Sequence, residues 1–362
     1  MKPRPILSEI TPYEPGKPIE EVQRDLGIKE VYKMASNENA MGASPKVLKA
    51  IQDALPNIYR YPDGAGSLLM QDLAKFYEVL PSQIILGNGS DEILQMLALA
   101  YLDTDDTVLT SQCTFSEYEF CGKLMNTPVI KVPLSHWTYD LDAMKQAITD
   151  RTKLIFISNP NNPTGTYLSH DQLFEFMGAV PRTAIVVLDE AYAEYARASD
   201  YPNSIKLLSK FPNLIILRTF SKIYGLAGLR IGYGIATEET IRNLNKVKQP
   251  FNVNSLAQVA ARAALQDREH VSKSQKLVWQ QISLLETGLK TAGCKTLPTQ
   301  GNFIFATTPI AGRYVFQQLL QHGIIVRPMD SFGETKAVRI TVSNLQEIGK
   351  LLGLLPKVFS LQ

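Results

Sequence analysis

No two of the three cysteines in this 362-residue chain (Cys113, Cys121 and Cys294) stand at CxxC spacing, and three cannot build a disulfide framework. They read as buried or free thiols of a reducing cytosol. The four histidines (His136, His170, His270 and His322) form no HxH or HExxH pair, which argues against a histidine-built zinc centre. Charge of one sign is also missing: 37 basic against 35 acidic side chains leave +2, and no long Lys/Arg-rich run offers a footprint for nucleic acid. No stretch reaches the ~18 apolar residues of a membrane span. The opening MKPRPILSEI lacks the apolar core of a signal peptide, so the expectation is a soluble, cytoplasmic protein. Hydrophobic residues at 45% and charged residues at 20% are a globular mix that sets disorder aside, and the length suits one or two domains.

Proline is concentrated at the start. Pro3, Pro5, Pro12, Pro15 and Pro18 predict an extended N-terminal arm over residues 1–30, with no regular helix. From about residue 80 to 235, short apolar runs alternate with amphipathic stretches. The predicted strands are Gln83–Leu86, Thr107–Thr110, Val129–Val132, Lys153–Ser158, Ala184–Leu188, Asn213–Arg218 and Leu229–Ile235. Predicted helices between them include Asp91–Tyr101, Ser169–Met177 and Ser204–Lys210. Such alternation implies an α/β fold, with βαβ units and a mainly parallel sheet flanked by helices. After Pro250 the texture changes. One or two long helices run from Asn254 or Ser255 to about Ala292. Strands at Asn302–Ala306, Ile324–Arg327 and Val338–Val342 follow, with helices at Tyr314–His322 and Leu345–Leu355. The expected division is an arm (1–30), a large domain (31–250) and a smaller α+β domain (251–362).

Ligands of such sheets sit beyond the carboxyl ends of the strands, so polar residues that follow apolar runs are the candidates. Asp189 ends the run Ala-Ile-Val-Val-Leu, where an unpaired carboxylate would be costly; a cationic or hydrogen-bonding partner is expected. Lys222 follows Leu214–Leu217 after a short turn, with Ser221 beside it and Arg230 eight residues on. An amine in a partly dry site loses its proton more readily and can condense with a carbonyl. Gly87-Asn-Gly-Ser-Asp91 presents free amides at a helix start, an anion site in its physics. It lacks the third glycine of a dinucleotide fingerprint, Glu92 standing there instead, which weakens a nicotinamide reading. Ser158-Asn-Pro-Asn-Asn-Pro-Thr-Gly165 is a rigid polar turn, and Phe115 offers an aromatic face. Singly each is an ordinary loop feature. Together they line one sheet edge with the parts needed to hold an aromatic, phosphate-bearing cofactor through an imine.

At these residues the chain resembles the fold-type-I pyridoxal-phosphate aminotransferases, and within them it is similar to the subfamily that acts on histidinol phosphate. The likeness runs through Thr11-Pro-Tyr-Glu-Pro-Gly-Lys17, Ala35-Ser-Asn-Glu-Asn39, Arg60-Tyr-Pro-Asp63, GNGSDE, SNPNNPTG, VVLDEAY, RTFSKIYGLAGLRIGYG, Gly301-Asn-Phe-Ile304 and Val338-Arg-Ile-Thr341. The resemblance implies that Lys222 holds pyridoxal 5'-phosphate and acts as general acid/base. It implies that Asp189 pairs with the pyridine nitrogen, that Tyr192 and Asn162 bond the ring's phenolic oxygen, and that Phe115 stacks on the ring. Family members often carry Tyr where this chain has Phe115. The phosphate would rest on Gly89, Ser90, Asp91, Ser221 and Arg230, with Tyr61 arriving from a second subunit of a homodimer. Arg339 would bind the substrate's anionic end, with Asn37, Asn162, Arg327 and Tyr13 as further substrate-binding candidates, and no metal is implied.

The activity implied is transfer of the amino group of L-histidinol phosphate to 2-oxoglutarate, with glutamate as the other product, a step of histidine biosynthesis. An aromatic amino-acid aminotransferase and a threonine-phosphate decarboxylase share most of these motifs and remain alternatives. So does a non-catalytic cofactor-binding regulator, although intact Lys222, Asp189 and Arg339 and the lack of a DNA-binding segment argue against it. No membrane or nucleic-acid partner is expected.

Overall fold

A computed structural model describes residues 1–12 and 16–360. Tyr13 lies outside the described residues. The described strands are β1 (Tyr32–Lys33), β2 (Ile84–Gly87), β3 (Thr107–Ser111), β4 (Val129–Val132) and β5 (Thr152–Ser158). They continue as β6 (Ile185–Asp189), β7 (Leu214–Thr219), β8 (Gly232–Ile235) and β9 (Lys295–Thr296). The last are β10 (Phe303–Thr307), β11 (Ile324–Ile325), β12 (Arg327–Pro328) and β13 (Ala337–Thr341).

Seven of these strands form a mixed sheet in the order β2-β8-β7-β6-β5-β3-β4. β8 runs antiparallel to both neighbours and the other pairs are parallel. The chain therefore has the α/β architecture expected, with the helices packed on both faces of this sheet. β6 is buried at all five positions, which is why its sequence is a continuous apolar run with no polar alternation. The strand order matters more than the strands themselves. From β3 the chain goes outward to β4 and then returns to β5 on the other side of β3, so the β3/β5 gap is a topological switch point. Helices depart in opposite directions there and leave a crevice at the carboxyl edge.

A four-stranded sheet, β12-β13-β10-β9, is built from the C-terminal part. It carries Arg339 on β13 and Arg327 on β12, which face each other in register. Pro328 has no N–H to give to a ladder and accordingly sits on the edge strand. The residues predicted as one strand, Ile324–Arg327, are in fact two pieces. Ile324–Ile325 pairs in parallel with Tyr32–Lys33, and Arg327–Pro328 pairs with β13.

Three further expectations need correction. The N-terminal region is not wholly extended: a helix spans Ile19–Leu26 directly after Pro18, which occupies the N-cap, where proline is harmless. Its Val22 is buried beside Ala35, Leu320 and Ile325, and that apolar contact holds the helix on the body. The stretch Ser204–Lys210 closes only a short 3-10 turn, Ser204–Leu207. The strand predicted at Leu229–Ile235 begins at Gly232, because Ala227–Leu229 is a 3-10 turn and Arg230 adopts φ 53°.

The C-terminal helical region is two helices, Ser255–Gln266 and Arg268–Thr291. The side chain of Asn254 caps the first by accepting the Ala257 N–H at 2.8 Å. An Asn254→Ala variant is expected to lose about 1 kcal/mol of stability, read as a lower melting temperature with unchanged activity.

Candidate active site

A cavity of about 600 Å³ opens at the carboxyl edge of the seven-stranded sheet, where the four-stranded sheet faces it. Its floor is set by β6. Asp189, the last residue of that strand, is 4% exposed and stands in register with Ser158 of β5 and Leu217 of β7. Burial raises its carboxyl from the ordinary 3.8 to about 6. The Tyr118 hydroxyl, the Ala191 amide and Lys222 pull it down, and Asp91 adds to the rise. Its hydrogen bonds come from Tyr118 Oη to Oδ2 at 2.8 Å and from the Ala191 N–H to Oδ1 at 3.1 Å.

Lys222 lines the same cavity, three residues beyond the end of β7. Its half-buried ammonium donates to the Ser36 carbonyl at 3.3 Å and lies 5.6 Å from the centre of the Tyr192 ring. Tyr192 is buried, and its hydroxyl accepts from Asn37 Nδ2 at 2.9 Å. Asn37 is itself held by Thr341 of β13, which accepts the Asn37 N–H at 2.9 Å and donates to Asn37 Oδ1 at 3.1 Å. Arg339, two residues earlier on β13, is 7% exposed and donates to Asn162 Oδ1 and to the Ala35 carbonyl. Asn162 belongs to the turn after β5, in which the Asn159–Pro160 and Asn162–Pro163 bonds are both cis. Across the crevice that turn is tied to the loop after β3, where Thr114 donates to Asn161 Oδ1 at 2.8 Å. Phe115 follows Thr114 and lines the cavity wall.

At one end lies an anion cup. The helix Ser90–Tyr101 starts there, so its first amides have no intrahelical partner and its positive end faces the cavity. Gly89 is the N-cap at φ +82°; a Cβ there would lie 2.7 Å from Arg230 Nη2. Gly232 of β8 is equally constrained, since its Cβ would fall 2.5 Å from the Ser90 nitrogen. Arg230 pairs with Asp91 at 3.0 Å, and Ser221 completes the rim. At the other end Arg327 and Arg339 supply positive charge.

The residues picked from sequence thus converge: Lys222, Asp189, Tyr192, Ser90, Asp91, Phe115, Asn162, Ser221, Arg230, Asn37, Arg327 and Arg339 line one cavity, and Gly89 caps the helix beside it. Tyr61 does not line it. That side chain is 83% exposed and stacks on Phe251 with ring centroids 4.8 Å apart. Sequence reasoning missed Tyr118. Its signal was its place at the start of the helix that follows Phe115, close to the carboxyl edge of the sheet. Cys113 offers no thiolate chemistry here, because burial pushes its thiol up to about 12.

Residues 29–353 match the model of the family described as aminotransferase class I and II. The chain belongs to that family. Among similar members, the histidinol-phosphate aminotransferase of Moorella thermoacetica is 50% identical over 347 residues, 96% of this chain and 90% of that one. The histidinol-phosphate aminotransferase of an Anaeromyxobacter species is 42% identical over 98% of each chain. A solved structure of histidinol-phosphate aminotransferase from Sinorhizobium meliloti in complex with pyridoxal-5'-phosphate superposes with a TM-score of 0.90 at 28% identity, covering 98% of this chain and 96% of that one.

The class I and II aminotransferase cavity of this chain fits such a group on its own chemistry. A buried carboxylate with neutral donors calls for a cation beside it, and a protonated ring nitrogen supplies one. The Gly89 cradle and helix start suit a phosphate, Phe115 suits a ring face, and Lys222 suits an aldehyde.

Proposed function

We propose that this aminotransferase uses pyridoxal 5'-phosphate to move the amino group of L-histidinol phosphate to 2-oxoglutarate, giving imidazole acetol phosphate and L-glutamate, a step of histidine biosynthesis. The observation that carries the reading is one cavity lined by Lys222 and Asp189 together with Arg327 and Arg339. Two alternating substrates, one a phosphate ester and one a dicarboxylate, both need cationic forks, and guanidinium binds either anion in bidentate fashion. Relatives at 42–50% identity over nearly the whole chain bear the matching name.

In this reading Lys222 holds the cofactor, Asp189 faces its ring nitrogen, and Tyr192 with Asn162 bonds its phenolic oxygen. Phe115 covers the ring, while Gly89, Ser90, Asp91, Ser221 and Arg230 take its phosphate. The bound group supplies an electron sink for the charge left on the substrate's α-carbon. Once displaced by the incoming amine, Lys222 would accept the substrate's α-proton at Nζ and give it up again within the same half-reaction, a transfer worth ~10²–10⁴-fold. Arg339 holds the substrate's anionic end, with Asn37 and Arg327 beside it, so that the α-hydrogen is presented to the amine. Tyr13 belongs to the same reading as a contact for the substrate phosphate.

The reading takes the active unit as a homodimer, in which Tyr61 of the partner subunit reaches the cofactor phosphate. Leu55, Ile58, Tyr59 and Tyr61 are all exposed apolar side chains within seven residues, a patch suited to burial against a second copy. It also divides the chain into an arm (1–30), a large unit (31–250) that contains the seven-stranded sheet, and a smaller unit (251–362). A cytoplasmic setting agrees with three free cysteines and with no described helix long and apolar enough to cross a membrane.

Steady-state kinetics with 2-oxoglutarate as acceptor test the substrate. The kcat/KM for histidinol phosphate is expected to exceed that for phenylalanine by about 10²-fold, since the phosphate ester offers the Arg327 and Arg339 guanidiniums a dianion where phenylalanine offers a single carboxylate. A preference for phenylalanine, or decarboxylation of threonine phosphate at comparable efficiency, would replace this assignment.

A further inference from the structure

Tyr118 has no part in the roles above, yet its position is among the most constrained around the cavity. It lies in the first turn of the helix Glu117–Leu124 and is 0% exposed. Its ring stacks on Phe156 of β5, with centroids 5.0 Å apart and an interplanar angle of 2°. It also meets Phe115 in a T-shaped contact, at 5.6 Å and 86°. A fully buried phenol held by two other rings has little freedom at either χ angle, so the direction of its O–H is set by packing. That O–H points at Asp189 Oδ2, 2.8 Å away.

The hydroxyl cannot hand over its proton. Burial holds it far above the ordinary tyrosine value, and the Asp189 charge pushes it further in the same direction. It is therefore the donor of the pair, and the ionised Asp189 accepts from it. The other groups acting on the carboxylate are the Ala191 amide on Oδ1, with Asp91 and Lys222 at longer range, and Tyr139 acts on Tyr118 itself. A carboxylate has about four acceptor sites. With one oxygen bonded to Tyr118 and the other to the Ala191 amide, lone pairs remain for a ring N–H.

We propose that Tyr118 is a positioning residue for transamination: through its hydroxyl it orients Asp189 and keeps it ionised, and through its ring it sets the plane of Phe115. The inference rests on the pyridoxal-phosphate reading. A proton shared between Asp189 and a ring nitrogen goes to the more basic partner. The Tyr118 hydrogen bond makes the carboxylate less basic and leaves the proton on nitrogen, where it draws electrons from the reacting carbon.

Tyr118→Phe keeps the stacked ring and removes only the donor. In the cofactor-free chain, Asp189 followed by carbon-13 NMR of labelled aspartate is expected to titrate about one pH unit higher, the scale of a hydrogen bond to a charged group. In the loaded enzyme the nitrogen-15 resonance of labelled pyridoxal phosphate is expected to move toward its unprotonated position. Turnover kcat should fall about tenfold while both KM values change by less than about twofold. A thermal melt of the cofactor-free variant checks that the fold is intact. An Asp189 titration and a ring-nitrogen resonance identical to wild type would overturn the proposal. A wild-type chain that takes up no pyridoxal phosphate would overturn the functional reading instead, and the cofactor-free titration would still decide whether Tyr118 sets Asp189.

Discussion

Lys222→Ala is expected to lower turnover by at least ~10⁴-fold, because the same amine both holds the cofactor and moves the α-proton. The fold should not notice the change. Lys222 is half-buried in the cavity wall, where its amine touches the Ser36 carbonyl and faces the Tyr192 ring. The buried hydrophobic core of the seven-stranded sheet does not include it. Two measurements separate chemistry from structure. The melting temperature of the cofactor-free variant should match that of wild type. After borohydride treatment and denaturation, wild type should retain the cofactor on the chain while the variant releases all of it. Turnover of the variant within tenfold of wild type would remove Lys222 from the mechanism, and with it the reading of the site.

Asp189→Asn is expected to show opposite effects on activity and on stability. Taking away the charge that faces the ring nitrogen should reduce kcat on the order of 10²–10³-fold, the usual scale for one preorganised electrostatic contact. Stability of the cofactor-free chain should rise at neutral pH. The folded carboxyl titrates near 6 against an ordinary 3.8, so between those values the folded chain holds a proton that the unfolded chain has released. The protein therefore loses stability as pH rises from about 4 to 6, and the loss persists above 6. The gap corresponds to roughly 3 kcal/mol at most. Asparagine has no charge to desolvate, so its advantage should be near zero below pH 4 and fully present at pH 7. Melting curves of both cofactor-free proteins at pH 4 and pH 7.5 test the sign. A variant less stable than wild type at pH 7.5 would show that Asp189 is already compensated without a cofactor. The same charge explains why loading should stabilise the wild type more than the variant: a protonated ring nitrogen next to Asp189 offsets the desolvation of the carboxylate.

Much of this architecture was legible because it is local. β6 reads as a strand buried on both faces from five consecutive apolar residues, and Asp189 stands out as the first charge after them. The GNGSD turn reads as a helix start because Gly89 must take φ +82°, a conformation other residues adopt only with strain. The glycine turn at that helix start, the lysine loop and the asparagine turn all follow in the same way from residues within about ten positions of one another, whereas Arg230 and Ser221 join the anion cup from far along the chain. The N-terminal region was read less well. Proline density predicted an extended run, whereas Ile19–Leu26 is helical because Pro18 falls at the cap and Val22 finds an apolar seat. The split of Ile324–Arg327 into two sheets was equally hidden, since each half is recruited by a partner far away in sequence, Tyr32–Lys33 or β13.

By itself, then, the order of residues determined which segments become strands and helices, and which polar groups lie at their carboxyl ends. Backbone preference and apolar periodicity act over a few residues and need no distant partner. Only the tertiary structure decided which of those groups meet. Tyr118 and Asp189 are 71 residues apart, Asn37 and Tyr192 155, and Asn162 and Arg339 177. Each pair forms because the strand order brings β3 beside β5, β5 beside β6, and the face of β13 over that edge. Strand order is a choice among arrangements that bury the same apolar surface about equally well, so it is set by the packing of the whole chain and not by any segment of it.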